Sequence, residues 1–201
     1  MDHDDKTLWN QKYAEEAHKW LEPDSFLVHA HEKFLSNRPP GLALDVAGGA
    51  GRHAIWLASR GWKVRIVDIS DVGLQLARQN AARALGIERA DELIMVEAAD
   101  LNSTRDLGKE LYDLVLVFRF LSRELFPALV HALKPGGILI YSTYTIAQLN
   151  FAKGPRDDRF LLQPDELLGA FASLKILHYE ETSQDKGIAE LVARKQIAPS
   201  T

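Results

Sequence analysis

Asp45, Gly48, Gly49, Gly51 and Asp68 are the residues of this chain whose types and spacing can do chemistry together. Three glycines in four positions interrupt Leu42-Ala43-Leu44-Asp45-Val46-Ala47-Gly48-Gly49-Ala50-Gly51-Arg52, an apolar run leading straight into a helical pattern. They remove side chains where a ligand can lie against the backbone. Seventeen residues after Gly51 the next apolar run ends in Asp68, a carboxylate placed to accept both hydroxyl hydrogens of a ribose. In an open parallel sheet, ligands bind beyond the carboxyl ends of the strands, so the two features together predict a nucleoside-containing cofactor. Gly49-x-Gly51-x-x-Ala54 also satisfies the dinucleotide pattern, in which helix amides hold a pyrophosphate. Asp45 weighs against that reading, because a carboxylate at the end of the first strand repels a pyrophosphate and suits the ammonium of the methionine moiety of S-adenosylmethionine. Capping of the turn by Asp45 is compatible with either cofactor.

The elements that must position these residues follow from the pattern around them. Short apolar runs at Leu42 to Ala47, Lys63 to Asp68, Glu92 to Ala98, Tyr112 to Phe118 and Ile138 to Tyr144 alternate with helical segments, the signature of a mostly parallel sheet with helices on both faces. Helices are expected from Arg52 to Arg60, after Ser70, between Ser122 and Leu133 and after Pro164, with Gly61 and Gly86 as stops. Pro135-Gly136-Gly137 predicts a tight turn into the fifth strand. The runs Leu174 to Glu181 and Ile188 to Lys195, separated by Ser183 to Gly187, predict a C-terminal antiparallel hairpin and bring the sheet to seven strands. Ahead of the sheet, Leu8, Trp9, Tyr13 and Ala17 recur at helical spacing, and Asp24 or Ser25 starts a second helix.

A chain of 201 residues, 46% hydrophobic, predicts one well-filled domain over 1–201, with 1–40 as a helical cap segment and 41–201 as the core. With 24 basic against 28 acidic residues and no long block of either sign, a small-molecule partner is favoured over nucleic acid or a membrane surface. No apolar run approaches a membrane span and Met1 to Lys6 carries three aspartates, so a cytoplasmic protein, monomeric or homodimeric, is expected. Zero cysteines exclude disulfides, thiolate zinc clusters and a cysteine nucleophile. No His, Asp and Glu cluster has metal-ligand spacing, so no metal is expected.

The order of motifs resembles the class I methyltransferases, whose first motif is an acid followed by alternating glycines, with a second acid closing the second strand. Asp45, Gly49, Gly51 and Asp68 match, and Ala47 stands where the family has its first glycine. Ala98-Ala99-Asp100-Leu101, Tyr112 to Val117 and Leu133-Lys134-Pro135-Gly136-Gly137-Ile138-Leu139 are similar to the later motifs, extending the resemblance over Leu42 to Tyr144. It implies a Rossmann-like sheet and S-adenosyl-L-methionine as cofactor, held by Asp45, Ala47, Gly48, Gly49, Gly51 and Asp68. It further implies that Asp100 meets the adenine amine, Ile69 and Leu101 sandwich the adenine, and Phe118 lines the sulfonium pocket. Trp9-Asn10-x-x-Tyr13 with Trp20 and Pro23, and Gly51-Arg52-His53, are similar to the tellurite-resistance type of small-molecule methyltransferase. That similarity implies an N-terminal segment folded over the cofactor, with Trp9 and Tyr13 shielding the site; packing of an amphipathic helix is the alternative reading of both.

Phe118-Arg119-Phe120-Leu121-Ser122-Arg123 interleaves two arginines with aromatics where acceptors bind in this fold. Arg119, Arg123 and Tyr144 are therefore acceptor candidates suited to an anionic or planar molecule, with ion pairing for Arg119, a solvated helix start for Arg123 and core packing for Tyr144 as the alternatives. His53 and Tyr144 are the candidates for a catalytic role, and an easily ionised acceptor such as a thiol or a chalcogen oxyanion needs no base. No Asn-Pro-Pro-Tyr type motif follows the fourth strand, which points to a small molecule or oxyanion. Two other functions share these features: an NAD(P)-binding oxidoreductase and a non-catalytic S-adenosylmethionine-binding protein.

Overall fold

Leu42–Val46 becomes the first strand, β1, because all but its first residue are buried, leaving no polar face to place on solvent. The computed structural model describes residues 3–16, 22–103 and 106–197; Ala17 and Trp20 lie outside them. The chain gathers into two compact units, residues 1–104 and 105–201. Its strands form one seven-stranded mixed sheet in the order β3-β2-β1-β4-β5-β7-β6, the Rossmann-like class expected.

In the first unit, β2 (Lys63–Asp68) pairs in parallel with β1 on one side and β3 (Ile94–Ala98) on the other. The register sets Val46 beside Val67 and Asp68 beside Ala98, so the glycine loop and Asp68 emerge at the same end of the sheet. Helix α3 (Arg52–Ala58) starts directly from Gly51, and α4 (Asp71–Leu85) starts from Ser70, whose hydroxyl accepts from the Gly73 amide at 2.9 Å. Leu74, Ala77 and Ala81 of α4 are buried as their spacing predicts. Ahead of the sheet come α1 (His3–Glu16) and α2 (Ser25–Phe34), the latter capped by Asp24 through the Phe26 amide. Both belong to this unit.

One helix departs from expectation. Gly86, predicted only to stop α4, also begins α5 (Ile87–Leu93), so β3 starts at Ile94 where Glu92 was expected. With φ 84° and ψ 153°, Gly86 takes a conformation open to glycine alone, letting a new helix start at once.

The second unit carries β4 (Tyr112–Phe118), α6 (Phe126–Ala132), β5 (Leu133–Tyr144), α7 (Glu166–Ala170) and the hairpin β6 (Lys175–Thr182) and β7 (Ile188–Arg194). β4 and β5 are parallel, β7 runs antiparallel to β5, and β6 closes the edge. The tight turn expected at Pro135-Gly136-Gly137 is instead an irregular opening of β5: Tyr112 pairs with Leu133 but Leu114 with Ile138. The extra residues bulge out of the ladder, with Gly136 at φ 81°. Phe126, Tyr141 and Phe171 form an aromatic core with ring centroids 5.2 to 6.0 Å apart.

Side chains strap down the charged loop from Gly154 to Phe160. Arg123 forks onto Glu166 at 2.6 and 2.8 Å and donates to the Leu161 and Arg159 carbonyls, while Arg156 donates to the Phe151 carbonyl at 2.7 Å. A bidentate pair keeps its geometry better than an ordinary surface ion pair. Arg123→Met is expected to lower unfolding stability by about 1 kcal/mol and to raise the rate of proteolytic cleavage between residues 154 and 162; an unchanged cleavage rate in the variant would remove Arg123 from that role.

Candidate cofactor site

The glycine loop leaves β1 through two residues with left-handed backbone. Ala47 has φ 54° and Gly49 φ 52°, so the alanine standing in the family's first glycine position holds a conformation that costs an L-residue roughly 1 kcal/mol. Gly51, at φ 81°, is the residue from which α3 springs, and its amide donates to the Gly48 carbonyl at 2.9 Å. Substituents here meet the surrounding structure: a Cβ on Gly48 would stand 2.7 Å from the Asp45 Cγ and 2.8 Å from an Ile66 methyl. Asn80, on α4, steadies the loop from beneath by donating to the Ala50 carbonyl at 3.4 Å.

Two acids face this loop under different conditions. Asp68 accepts from the Gly49 amide through one oxygen and from the Ser70 amide through the other, each at 2.8 Å. It therefore ties the glycine loop to the start of α4, in addition to the ribose role its position predicts. Burial raises its pKa, and the amides it accepts oppose that rise. Asp45 is 1% exposed and neither of its oxygens has a hydrogen-bond partner among the described residues. The reading of Asp45 as a turn cap fails on that observation. Burial pushes its pKa up to about 7; the Arg52 charge lowers it, the Asp68 charge adds to the rise, and the Ala54 amide favours the charged form without reaching hydrogen-bond geometry. A buried carboxyl without a partner calls for a cationic ligand, and the methionine ammonium of S-adenosylmethionine has that chemistry. Glycine backbone, orphaned acid and second-strand acid thus fit that group, with Asp45, Gly48, Gly49, Gly51 and Asp68 as the residues to hold it.

The α1 helix lies across this loop. Tyr13 sets its hydroxyl against Gly49, where an added Cβ would fall 1.8 Å from the Tyr13 oxygen, and its ring edge against Gly73. Burial, reinforced by Asp68 and then Asp45, keeps this hydroxyl protonated. Asn10 accepts from the Ser70 hydroxyl at 2.7 Å and from the Val72 amide at 3.3 Å.

In the second unit, Arg119 follows β4 with φ 58°, a left-handed backbone uncommon for a residue with a long side chain. Its amide donates to the Ser142 carbonyl at 2.8 Å and its guanidinium to the Ser142 hydroxyl at 2.9 Å, while its cation lies 5.3 Å from the Tyr144 ring centre. Ser142 is fully buried on β5. Phe118, the last residue of β4, is buried beside this group in sequence.

Comparison with known proteins gives the same reading of this stretch. Residues 43–137, the stretch from β1 into β5, match the model of a methyltransferase domain. The matched stretch carries the glycine loop, Asp45 and Asp68. The chain is 28% identical to a ubiquinone biosynthesis O-methyltransferase of Idiomarina loihiensis over 66% of the chain and 58% of the relative. It is 29% identical to a tRNA 5-carboxymethoxyuridine methyltransferase of Escherichia coli strain K12 over 61% of the chain and 52% of the relative. The chain thus spans little more than half the length of either. In fold it is similar to TehB from Haemophilus influenzae, with a TM-score of 0.69, 17% identity and coverage of 95% of this chain and 67% of that one. It is also similar to the structure solved for the conversion of a disulfide bond into a thioacetal group during echinomycin biosynthesis, with a TM-score of 0.70, 20% identity and coverage of 97% and 93%.

The other residues singled out in the sequence separate by position. Asp100 and Leu101 follow β3, Leu101 buried and Asp100 accepting from the Asn102 amide at 2.9 Å, and Ile69 is half-buried beside Asp68. Trp9 stacks near Tyr13 at 5.9 Å but is exposed on its far side beneath Lys12. His53 is buried inside α3 at 3% exposure. Arg123, expected at the acceptor, has its guanidinium bonded to Glu166 on α7 and to the Arg159 and Leu161 carbonyls. Asn80 and Ser142 complete the clusters with nothing in their local sequence to mark them, whereas Asn10 stands inside the Trp9-Asn10-x-x-Tyr13 motif and Ser70 at the expected start of α4. Among the described residues no helix is long and apolar enough to cross a membrane, and no group of three metal-binding side chains gathers.

Proposed function

We propose that this protein transfers a methyl group from S-adenosylmethionine to a small acceptor that carries negative charge or develops it on reaction. When bound, S-adenosylmethionine supplies a methyl group already activated by its sulfonium, which an electron-rich acceptor takes by in-line displacement. The observation that supports the cofactor half is the buried, partnerless carboxyl of Asp45 beside a glycine backbone. Asp68 orders the loop and receives the ribose, and Asp45 meets the ammonium.

The observation that supports the acceptor half is Arg119, held at φ 58° with its guanidinium on the Ser142 hydroxyl and near the Tyr144 ring. A planar guanidinium beside an aromatic face suits an oxyanion or an ionised planar acceptor. Such an acceptor needs no general base. A relative named for tRNA methylation raises a nucleic-acid acceptor as the other reading; a net charge of −4 without a basic block supports a small molecule, since phosphate neutralisation drives binding to RNA.

The test is formation of S-adenosylhomocysteine with a panel of thiols, selenite, tellurite, phenols and aromatic carboxylates, run beside unmodified tRNA. Turnover with the anionic or ionisable acceptors supports the proposal, whereas turnover with tRNA alone overturns the acceptor class. With the acceptor so found, Arg119→Lys is expected to lower kcat/KM about tenfold, the loss of a planar charged hydrogen bond, while S-adenosylhomocysteine affinity stays unchanged. An equal loss in cofactor affinity would place Arg119 elsewhere.

A further inference from the structure

The resemblance of the N-terminal segment to a shielding cap implies a helix that adds contacts to a bound cofactor. The contacts of α1 point to the opposite sign. The Tyr13 hydroxyl does not stand above the glycine loop with room beneath it; it rests on the loop, so near that a methyl group on Gly49 would fall 1.8 Å from the Tyr13 oxygen and 2.4 Å from Cζ. That backbone surface, bare because of its glycines, is the surface a cofactor needs. The ring continues over Gly73, where a Cβ would stand 3.0 Å from two of its carbons.

The way α1 is fastened suits a reversible contact. Lys6, Asn10 and Tyr13 share one face at spacings of four and three residues. They meet Asp71, the Ser70 hydroxyl with the Val72 amide, and the two glycines in turn. The anchors are polar: the Lys6–Asp71 ion pair is exposed on both sides and worth little in water. The larger apolar residues of the helix, Leu8 and Trp9, are 59% and 36% exposed. A helix held by few buried apolar groups opens at low cost, and it opens exactly where Ser70 connects through its own amide to Asp68.

We propose that α1 is a competitive plug: Tyr13 occupies the glycine cradle in the free protein, and S-adenosylmethionine enters by displacing it and undocking the helix. The proposal rests on the cofactor reading above. It makes the protein's apparent affinity a product of intrinsic affinity and the fraction of molecules with α1 undocked, so that any weakening of the α1 contacts tightens cofactor binding.

The test is calorimetric titration of the full chain with S-adenosylhomocysteine. Tyr13→Ala is expected to tighten binding about three- to tenfold by removing the cost of undocking. Asn10→Ala, which leaves the cradle untouched and removes only an anchor, is expected to tighten it in the same direction and serves where the tyrosine variant folds poorly. Hydrogen exchange on the wild-type chain gives a readout independent of any variant: amides of residues 3–16 are expected to exchange faster with S-adenosylhomocysteine bound. Weaker binding by both variants, or slower exchange in α1 on ligand addition, overturns the plug and makes the helix a cap. Binding by neither wild type nor variants, in protein folded by circular dichroism, strikes at the cofactor reading itself and takes the plug with it.

Discussion

Asp45→Asn is expected to weaken S-adenosylmethionine binding at pH 8 by roughly 2–3 kcal/mol, the worth of a hydrogen bond to a charged group, which is roughly 30- to 150-fold in Kd. The side chain keeps its shape and loses its charge, so the effect isolates the electrostatic partner of the ammonium. The pH dependence is the sharper signature. In the free protein burial holds the Asp45 carboxyl at a pKa of about 7, and a cationic ligand needs the carboxylate, so binding expels a proton. Wild-type affinity is therefore expected to fall toward tenfold per pH unit below about pH 7, while Asp45→Asn shows a flat profile across pH 5.5–8. A flat wild-type profile would remove Asp45 from the site.

The same residue sets a stability trend of defined sign. Its folded-state pKa lies above that of an unfolded aspartate, about 3.9, so the folded chain binds the extra proton between the two values. The contribution of Asp45 is complete below about pH 4 and is lost as pH rises through about 7, amounting to a few kcal/mol at full ionisation. Asp45→Asn, which never ionises, is expected to match the wild type in denaturant midpoint below about pH 4 and to exceed it by a growing margin as pH rises toward 8.

Asp68→Ala is expected to act on both fold and cofactor. Removing the carboxylate strips the Gly49 and Ser70 amides of their acceptor, and each buried amide left unsatisfied costs about 1–3 kcal/mol. Cofactor affinity is expected to fall by a further 1–3 kcal/mol, roughly 5- to 150-fold, from the lost ribose hydrogen bonds. Asp68→Asn, which can still accept one amide, is expected to recover part of the stability and little of the affinity. Thermal unfolding and titration on the same samples separate the two effects; undiminished affinity in folded Asp68→Ala would confine the residue to holding the loop.

Much of the fold was legible because its signals are local. A buried parallel strand is a continuous apolar run, so β1, β2 and β4 fall within a residue of their expected limits. Where a signal was short or mixed, it misled. The seven residues of α5 bury only Ala90 and Leu93, too few to show a period, and the Pro135 to Gly137 segment has turn composition yet bulges within β5 between the residues, Leu133 and Ile138, that pair with β4. The site divides in the same way. Asp45 and Asp68 stand out by position at strand ends, whereas Arg123, read as an acceptor residue from its aromatic neighbours, is claimed by a glutamate 43 residues away.

The sequence by itself determined the first strand, its glycine turn, the second acid and, through them, the resemblance to a methyltransferase domain. These are properties of one contiguous stretch, in which chain geometry brings the loop and Asp68 to the same end of adjacent parallel strands. Only the tertiary structure decided what surrounds them. It left the Asp45 carboxyl buried without a hydrogen-bond partner, gave Asp68 the Gly49 amide, brought Asn10 to Ser70 across 60 residues, and laid Tyr13 on the glycine it competes for. Such contacts depend on how a helix docks, and docking is settled by the sum of weak polar anchors and local space, neither of which leaves a period in the sequence.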